Sequence, residues 1–366
     1  MITGADEYPF HQTAEPMAFA GTDRNYYDRF FFNGYTPDGE VFFAIAFGLY
    51  PHLDIMDGAV CVLKDGKQHN VRVSRRMKAD RSVLKVGPLS IEIQKPLVQS
   101  KVVLTDNDSG ISLDITFQAR HEPIEEPRFT RRIGTRSFMD YTRLTQNVAW
   151  SGQIRIGGET IKLDPGSSFG TRDRSWGVRP IGAPDAQPPP QGNLSQFFWL
   201  WNPCNFEDCV AFSHTNDDAF GRPWNRRAGI QKISGELMEF DDVEYKYEWV
   251  PDSRRIKSLH AILKGEAGEA TISFTPFSNF YMSGLGYTHP VWGHGKDHGE
   301  DAFEYDVIDT SSCQSTDPIY LHIQALSKAE LSINGVIHTG MGVVEQLFVG
   351  AHQPTGMAEG LAMLAE

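Results

Sequence analysis

The sequence is poor in several features that would make a function easy to name, and each absence narrows the field. Only four cysteines occur, at 61, 204, 209 and 313, with no CxxC pair. Cys204 and Cys209 stand in a CxxxxC spacing that common zinc sites do not use, so free buried thiols are expected. Long apolar runs are also missing. The greasiest, FFAIAFGLY from Phe42 to Tyr50, has nine residues, against roughly 20 for a membrane helix, and so reads as a buried strand with no membrane span expected. Basic charge is in deficit, with 34 Lys and Arg against 47 Asp and Glu and a net charge of −13. Such a chain repels phosphate backbones and anionic lipid, which argues against nucleic acid as a partner. The opening MITGADEYPFHQTAEP has no basic segment followed by an apolar stretch, so no secretory signal is read and a cytoplasmic protein is expected. There is no Gly-rich phosphate loop, no GxSxG elbow and no dinucleotide fingerprint, which removes kinase, α/β-hydrolase and Rossmann dehydrogenase readings and leaves no cofactor expected.

What the sequence has instead is alternation. HNVRVSRR, ISLDITFQAR, GQIRIGG, VEYKYEW, ATISFTPF and IYLHIQAL are period-two runs, recurring at roughly the 8 to 12 residue spacing of all-β sandwiches and barrels. In ISLDITF, Ile111, Leu113, Ile115 and Phe117 share one face, and Ser112, Asp114 and Thr116 the other. IRIGGETIKL predicts a hairpin in which Gly157 and Gly158 supply positive φ. Helical character is confined to TGMAEGLAMLAE at the C-terminus, which predicts a short helix. GAPDAQPPPQGN, residues 182–193, predicts a surface loop or linker. A chain of 366 residues exceeds what one core usually serves. The expectation is all-β: two tandem antiparallel β-barrels, residues 1–165 and 166–366.

Four segments carry candidate chemistry. In GTRDRSWGVRP, strand alternation puts Arg172, Arg174 and Trp176 on one face and Asp173, Ser175 and Gly177 on the other. Asp173 is then either a carboxylic acid held near neutrality and able to donate a proton, or half of a buried ion pair with Arg172, Arg174 or Arg179 under a tryptophan lid. NLSQFFWLWNP is apolar on both faces, so Trp199 and Trp201 are either pocket wall or core. MDYTRLTQNVAWSG places Tyr141, Arg143 and Gln146 on a similar strand. GYTHPVWGHGKDHG holds His289, His294 and His298, but in spacings that match no helical ligand pair. A shaped loop over a barrel mouth, with one histidine as hydrogen-bond donor or acid/base, is expected rather than a metal site. RFTRRIGTR, beside HEPIEEP, is read as a surface salt-bridged cluster.

Taken in order, YTRLTQNVAWSG, then GTRDRSWGVRP followed by FFWLW, then GYTHPVWGHG, the chain resembles the two-domain lipocalin-like superfamily that includes carotenoid 1,2-hydratase (hydroxyneurosporene synthase), tocopherol-cyclase-like proteins and fungal Diels–Alderases. The matching segments span residues 141 to 295, about two fifths of the chain. The resemblance implies two calycin-type barrels with a ligand cavity at or near their junction. In the hydratase branch an aspartate of the corresponding motif protonates a carbon–carbon double bond so that water can add, a role that would fall on Asp173. Where relatives commonly place a histidine after that aspartate, this chain has Arg174.

The functional expectation is an enzyme of the hydro-lyase or cyclase/isomerase kind, acting on a hydrophobic small molecule. Asp173 would be the acid and His289 or His294 the base or water-positioning group. Trp176, Trp199, Trp201, Tyr141, Gln146, Arg172 and Arg179 would bind the ligand. A non-catalytic carrier of an apolar ligand is the alternative.

Overall fold

The computed structural model describes residues 1–187, 195–233, 235–266 and 268–361. Strands make up 59% of it and helical turns 5%, so the all-β expectation holds, as two nearly closed antiparallel barrels. No helix among the described residues is long and apolar enough to cross a membrane. The chain falls into two compact units, Met1–Gly192 with Gly284–Ile308, and Asn193–Ser283 with Asp309–Glu366. The sequence reading set the border at 165/166, ahead of the arginine-rich strand. That strand, Phe169–Val178, pairs on both sides within the first sheet, with Tyr26–Tyr35 and Arg136–Ile156.

The first sheet runs, in spatial order, through Asp301–Asp309, Lys67–Arg76, Ile55–Lys64, Val41–Tyr50, Tyr26–Tyr35, Phe169–Val178, Arg136–Ile156, Ser112–Ala119, Gln99–Leu104, Leu89–Lys95 and Lys85–Val86. Its interior is filled by bulky side chains, among them Phe30, Phe32, Phe43, Ile45, Phe47, Phe117 and Trp150. Ile111, Leu113, Ile115 and Phe117 all join this core, as their alternation predicts. The Trp150 ring meets Phe43, Phe117 and Phe32 at centroid distances of 5.4, 5.9 and 6.1 Å, edge-on in each case. Its Nε1 donates to Asn33 O at 2.9 Å, satisfying the polar handle a buried indole brings. A Cβ at Gly170 would lie 2.7 Å from that nitrogen, so glycine there makes room for the indole. The predicted hairpin forms at Gly157 and Gly158, with φ of 59° and 82° and Ile156 opposite Glu159.

The second sheet runs Leu237–Phe240, Pro223–Lys232, Cys209–Asp217, Phe197–Asn205, Val336–Val349, Ile323–Ile333, Gly268–Tyr281, Ile256–Gly265 and Asp242–Trp249. The predicted C-terminal helix is absent over its described part. Residues 353–355 form one 3₁₀ turn and His352 bridges to Met357, while 362–366 lie outside the described residues. Of the loop 182–193, residues 182–187 are irregular and 188–193 lie outside the described residues.

Candidate active site

The alternation predicted around residue 173 is observed. Arg172 and Arg174 share the core face with the phenylalanines. The Arg172 guanidinium lies 5.2 Å from the Phe117 ring and its Nε donates to Gln146 Oε1 at 2.7 Å. Burial brings its pKa down to about 10. Arg174 sits 3.8 Å over Phe30 and ion-pairs with Asp28, with Trp176 at 6.0 Å. Gln146 in turn donates to Leu97 O at 3.0 Å. Arg172, Arg174 and Gln146 are thus each engaged within the first sheet and its connections, while Trp176 stays 37% exposed at the strand end.

Asp173 points the other way and is buried. It is met by an arginine from outside its own segment. Arg143 Nη2, from the neighbouring strand, donates to Asp173 Oδ2 at 2.9 Å. The same guanidinium lies 3.5 Å from Glu126 Oε1, which also accepts from Thr145 Oγ1. One buried cation therefore serves two buried carboxylates.

On the same face a second cluster assembles from six distant segments. The strands Tyr26–Tyr35, Val41–Tyr50 and Ile55–Lys64 turn Tyr27, Arg29, Tyr50 and Asp57 away from the core, each alternating with a core residue such as Phe30, Leu49 or Met56. Tyr27, Tyr50, Ile55 and Ile181 pack together, with Leu53 and Tyr141 against them. Tyr141 stacks on Phe129 at 4.6 Å and meets Tyr27 edge-on at 6.0 Å. Tyr50 Oη donates to Asp57 Oδ1 at 3.1 Å, and Gly295 N donates to Asp57 Oδ2 at 2.8 Å. Gly48 is required beside this pair, because a Cβ there would collide with Tyr50 Oη and come within 2.9 Å of Asp57 Oδ1.

The segment GYTHPVWGHG completes the cluster. It lies across this outward face rather than over a barrel mouth, because buried Arg72 grips the returning chain through Gly284 O at 2.9 Å and Asp306 Oδ2 at 2.6 Å. His294 Nε2 bonds Leu285 O at 2.9 Å. A carbonyl only accepts, so Nε2 carries the proton and Nδ1 accepts from Arg29 Nη1 at 2.9 Å. Arg179 Nη2 approaches the same nitrogen at 3.4 Å. Tyr287 packs edge-on against the imidazole at 4.4 Å and under Arg29 at 4.7 Å. Asp57, Tyr141, Arg179, Tyr287 and His294 each keep partial exposure, so the cluster is not sealed.

Desolvation raises the Asp57 carboxyl to about 6, although Gly295 N, Arg29, Tyr50 and Arg179 all favour its anion. Burial likewise pushes Tyr27 to about 12 and holds Tyr50 and Tyr141 well above the usual phenol range.

The three histidines of the segment do not converge. His289 Nδ1 accepts from Trp292 N at 2.9 Å and Val291 N at 3.2 Å, capping its own turn, and burial lowers its pKa. His298 stacks on Trp292 at 3.9 Å. Trp199 and Trp201 belong to the second unit, where Trp199 Nε1 donates to Glu345 Oε1 at 2.8 Å and Trp201 meets Phe212 edge-on at 6.2 Å. Glu345 also accepts from Gln324 at 2.6 Å and pairs with His322 at 2.8 Å. The one group of three metal-type donors found among the described residues is Asp208, Cys209 and His338, within 4.8 Å of one another in the second unit.

Of the residues singled out from the sequence, Tyr141, Arg179 and His294 join the Asp57 cluster. Arg29, Tyr50 and Asp57 were missed. A signal existed for Asp57, the one acid in the greasy strand IMDGAVCVLK, whereas Arg29 in YYDRFFFNGY stands beside Asp28.

Among solved structures, a protein described as AttH from Nitrosomonas europaea superposes with a TM-score of 0.54 at 15% identity, covering 93% of this chain and 98% of that one. Kievitone hydratase from Nectria haematococca gives 0.49 at 12% identity, covering 87% and 88%. CghA with Sch210972 gives 0.48 at 10%, covering 89% of each chain. At such identities the likeness is one of fold. Comparison with curated protein sequences returns no match. Residues 2–358 match the family of unknown function DUF8625, and the chain belongs to that family.

Proposed function

We propose that this protein is an enzyme that moves a proton on a small molecule, as a hydratase/dehydratase or a cyclase/isomerase, with Asp57 as the proton donor. The observation that carries this reading is a carboxyl raised to about 6 within a partly open, tyrosine-rich cluster. A general acid works best with a pKa near the working pH, since it is then both protonated in useful amount and willing to give the proton up. Two hydrogen bonds, from Tyr50 Oη and Gly295 N, fix the carboxyl's orientation. The rings of Tyr141 and Tyr287, which keep partial exposure, offer apolar contact area and negative π-faces to a carbon skeleton that gains positive charge on protonation. His294, with both ring nitrogens hydrogen-bonded, positions Arg29 rather than acting as the base. Asp173, tied to Arg143, belongs to the scaffold in this reading.

The test is untargeted mass spectrometry of an apolar cell extract incubated with wild type, Asp57→Asn and Asp173→Asn. A compound changed by wild type and Asp173→Asn but not by Asp57→Asn supports the reading. A shift of one water identifies hydration or dehydration, and an unchanged mass with altered retention identifies cyclisation or isomerisation. A compound recovered unaltered from all three proteins makes the protein a carrier and ends the enzymatic reading.

A further inference from the structure

The Asp57 cluster contains more positive charge than its own groups neutralise. Arg29 Nη1 and Arg179 Nη2 lie 2.9 and 3.4 Å from one atom, His294 Nδ1. An imidazole nitrogen of this kind has a single lone pair, so the two guanidiniums are held side by side over an acceptor that serves only one of them well. Neither forms an ion pair with a carboxylate among the described residues. The other buried arginines turned to this face do: Arg72 with Asp306 at 2.6 Å, and Arg143 with Asp173 at 2.9 Å.

Arg29 is 2% exposed and its Nε meets no acceptor. Its remaining neighbour is the Tyr287 ring, while Arg179 lies 4.3 Å over Tyr27 and 5.7 Å from Tyr287. Asp57 is close enough for both cations to act on it, but the hydrogen bonds its oxygens accept come from Tyr50 Oη and Gly295 N. A buried guanidinium with an idle donor is costly, and two like charges at short range add to the cost. A ligand anion with two oxygens removes both costs together, since guanidiniums match carboxylate geometry with paired N–H donors.

We propose that Arg29 and Arg179 form a binding site for the carboxylate or enolate oxygens of an aromatic or polyunsaturated small molecule, whose body lies against the partly exposed Tyr141 and Tyr287. This rests on the reading of the Asp57 cluster as the substrate site, and replaces a purely apolar substrate with an amphipathic one. Arg179 comes from the segment after the strand Phe169–Val178 and is half-buried. Arg29 is rooted in the sheet.

The experiment is titration calorimetry of the full chain with 2-naphthoate and with its neutral counterpart 2-naphthylmethanol, at low salt and neutral pH. Naphthoate is expected to bind at least about tenfold more tightly than the alcohol, because charge-assisted hydrogen bonds exceed neutral ones. Arg179→Gln should remove that preference while leaving the alcohol's affinity unchanged. Arg29→Lys, which keeps the charge but loses the fork, should weaken naphthoate less than Arg179→Gln does. Arg29→Gln risks misfolding, so the half-buried Arg179 carries the test. Equal affinity for the two probes, an equal loss of both in Arg179→Gln, or no heat with either at millimolar concentration overturns the proposal. The two readings fail separately. Asp57-dependent turnover of a neutral compound without naphthoate preference removes the anion site alone, and naphthoate preference without turnover removes the enzyme alone.

Discussion

Asp57 and Asp173 stand on the same face of the same sheet, each among buried arginines and tyrosines, and their charges are met in opposite ways. Asp173 is met by Arg143 at 2.9 Å, and that cation is shared with Glu126, so charge is matched by direct contact. Asp57 is met by a phenol and a backbone amide, with its cations one step removed on His294. A carboxylate touching a guanidinium is held as an anion. One that is desolvated without such contact rises toward neutrality, as Asp57 does. Proximity of charge in the sequence is therefore a poor guide to proton chemistry; direct contact decides it.

The sharpest way to break this contrast is to remove one carboxylate and the other's cation in turn. Asp57→Asn should lower turnover by about 10² to 10⁴-fold, the usual range for a general acid, with the melting temperature near wild type. Retained turnover would remove Asp57 from the chemistry. Arg143→Met should do the reverse. It leaves Glu126 and Asp173 buried without their cation, and urea unfolding at neutral pH should show a loss of about 3 to 5 kcal/mol, with turnover per folded molecule preserved.

A pH series tests the Asp57 side of the contrast. If Asp57 donates its proton, kcat/KM should fall about tenfold per unit above its pKa, which lies at about 6, and that limb should vanish in Asp57→Asn. Stability carries the same signature. A folded-state pKa above the ordinary 3.8 means that the native state binds the proton more tightly, so this group's contribution favours folding at low pH and is lost as pH rises from 3.8 to about 6. Unfolding midpoints of wild type minus Asp57→Asn should show that downward slope. The smallest effect is expected from Asp173→Asn, which keeps a hydrogen bond to Arg143. A stability loss of roughly 1 kcal/mol and turnover within about threefold of wild type are expected, and loss of turnover in soundly folded protein would return Asp173 to the chemistry.

The parts legible in the sequence are those that depend on neighbours along the chain. Alternation gave the faces of residues 172–176, the core row from Ile111 to Phe117 and the Gly157–Gly158 hairpin, because side-chain direction in a strand follows position parity. Pairing across strands is not local. Arg143 finds Asp173 only because Thr145 lies opposite Asp173 in the register, a relation that nothing in either segment announces. The Asp57 cluster is harder still, since residues 29, 50, 57, 179 and 294 meet through three strands and two connections. The unit boundary escaped for a related reason: composition shifts mark loops, but they do not show that the strand after residue 165 still belongs to the first sheet, or that residues 284–308 return to it.

That return has a consequence for synthesis. Tyr287, His294 and Gly295 are translated long after the strands they cover, and Asp306 after them. The first sheet must therefore wait, with Arg29, Asp57 and Arg72 lacking these partners, until more than four fifths of the chain has left the ribosome. A chain stopped at residue 283 would contain every strand that carries Asp57 and none of the groups that orient its second oxygen. Nascent chains arrested before and after residue 308 should differ in protease resistance at the Ile55–Lys64 strand, the point at which the acid acquires its setting.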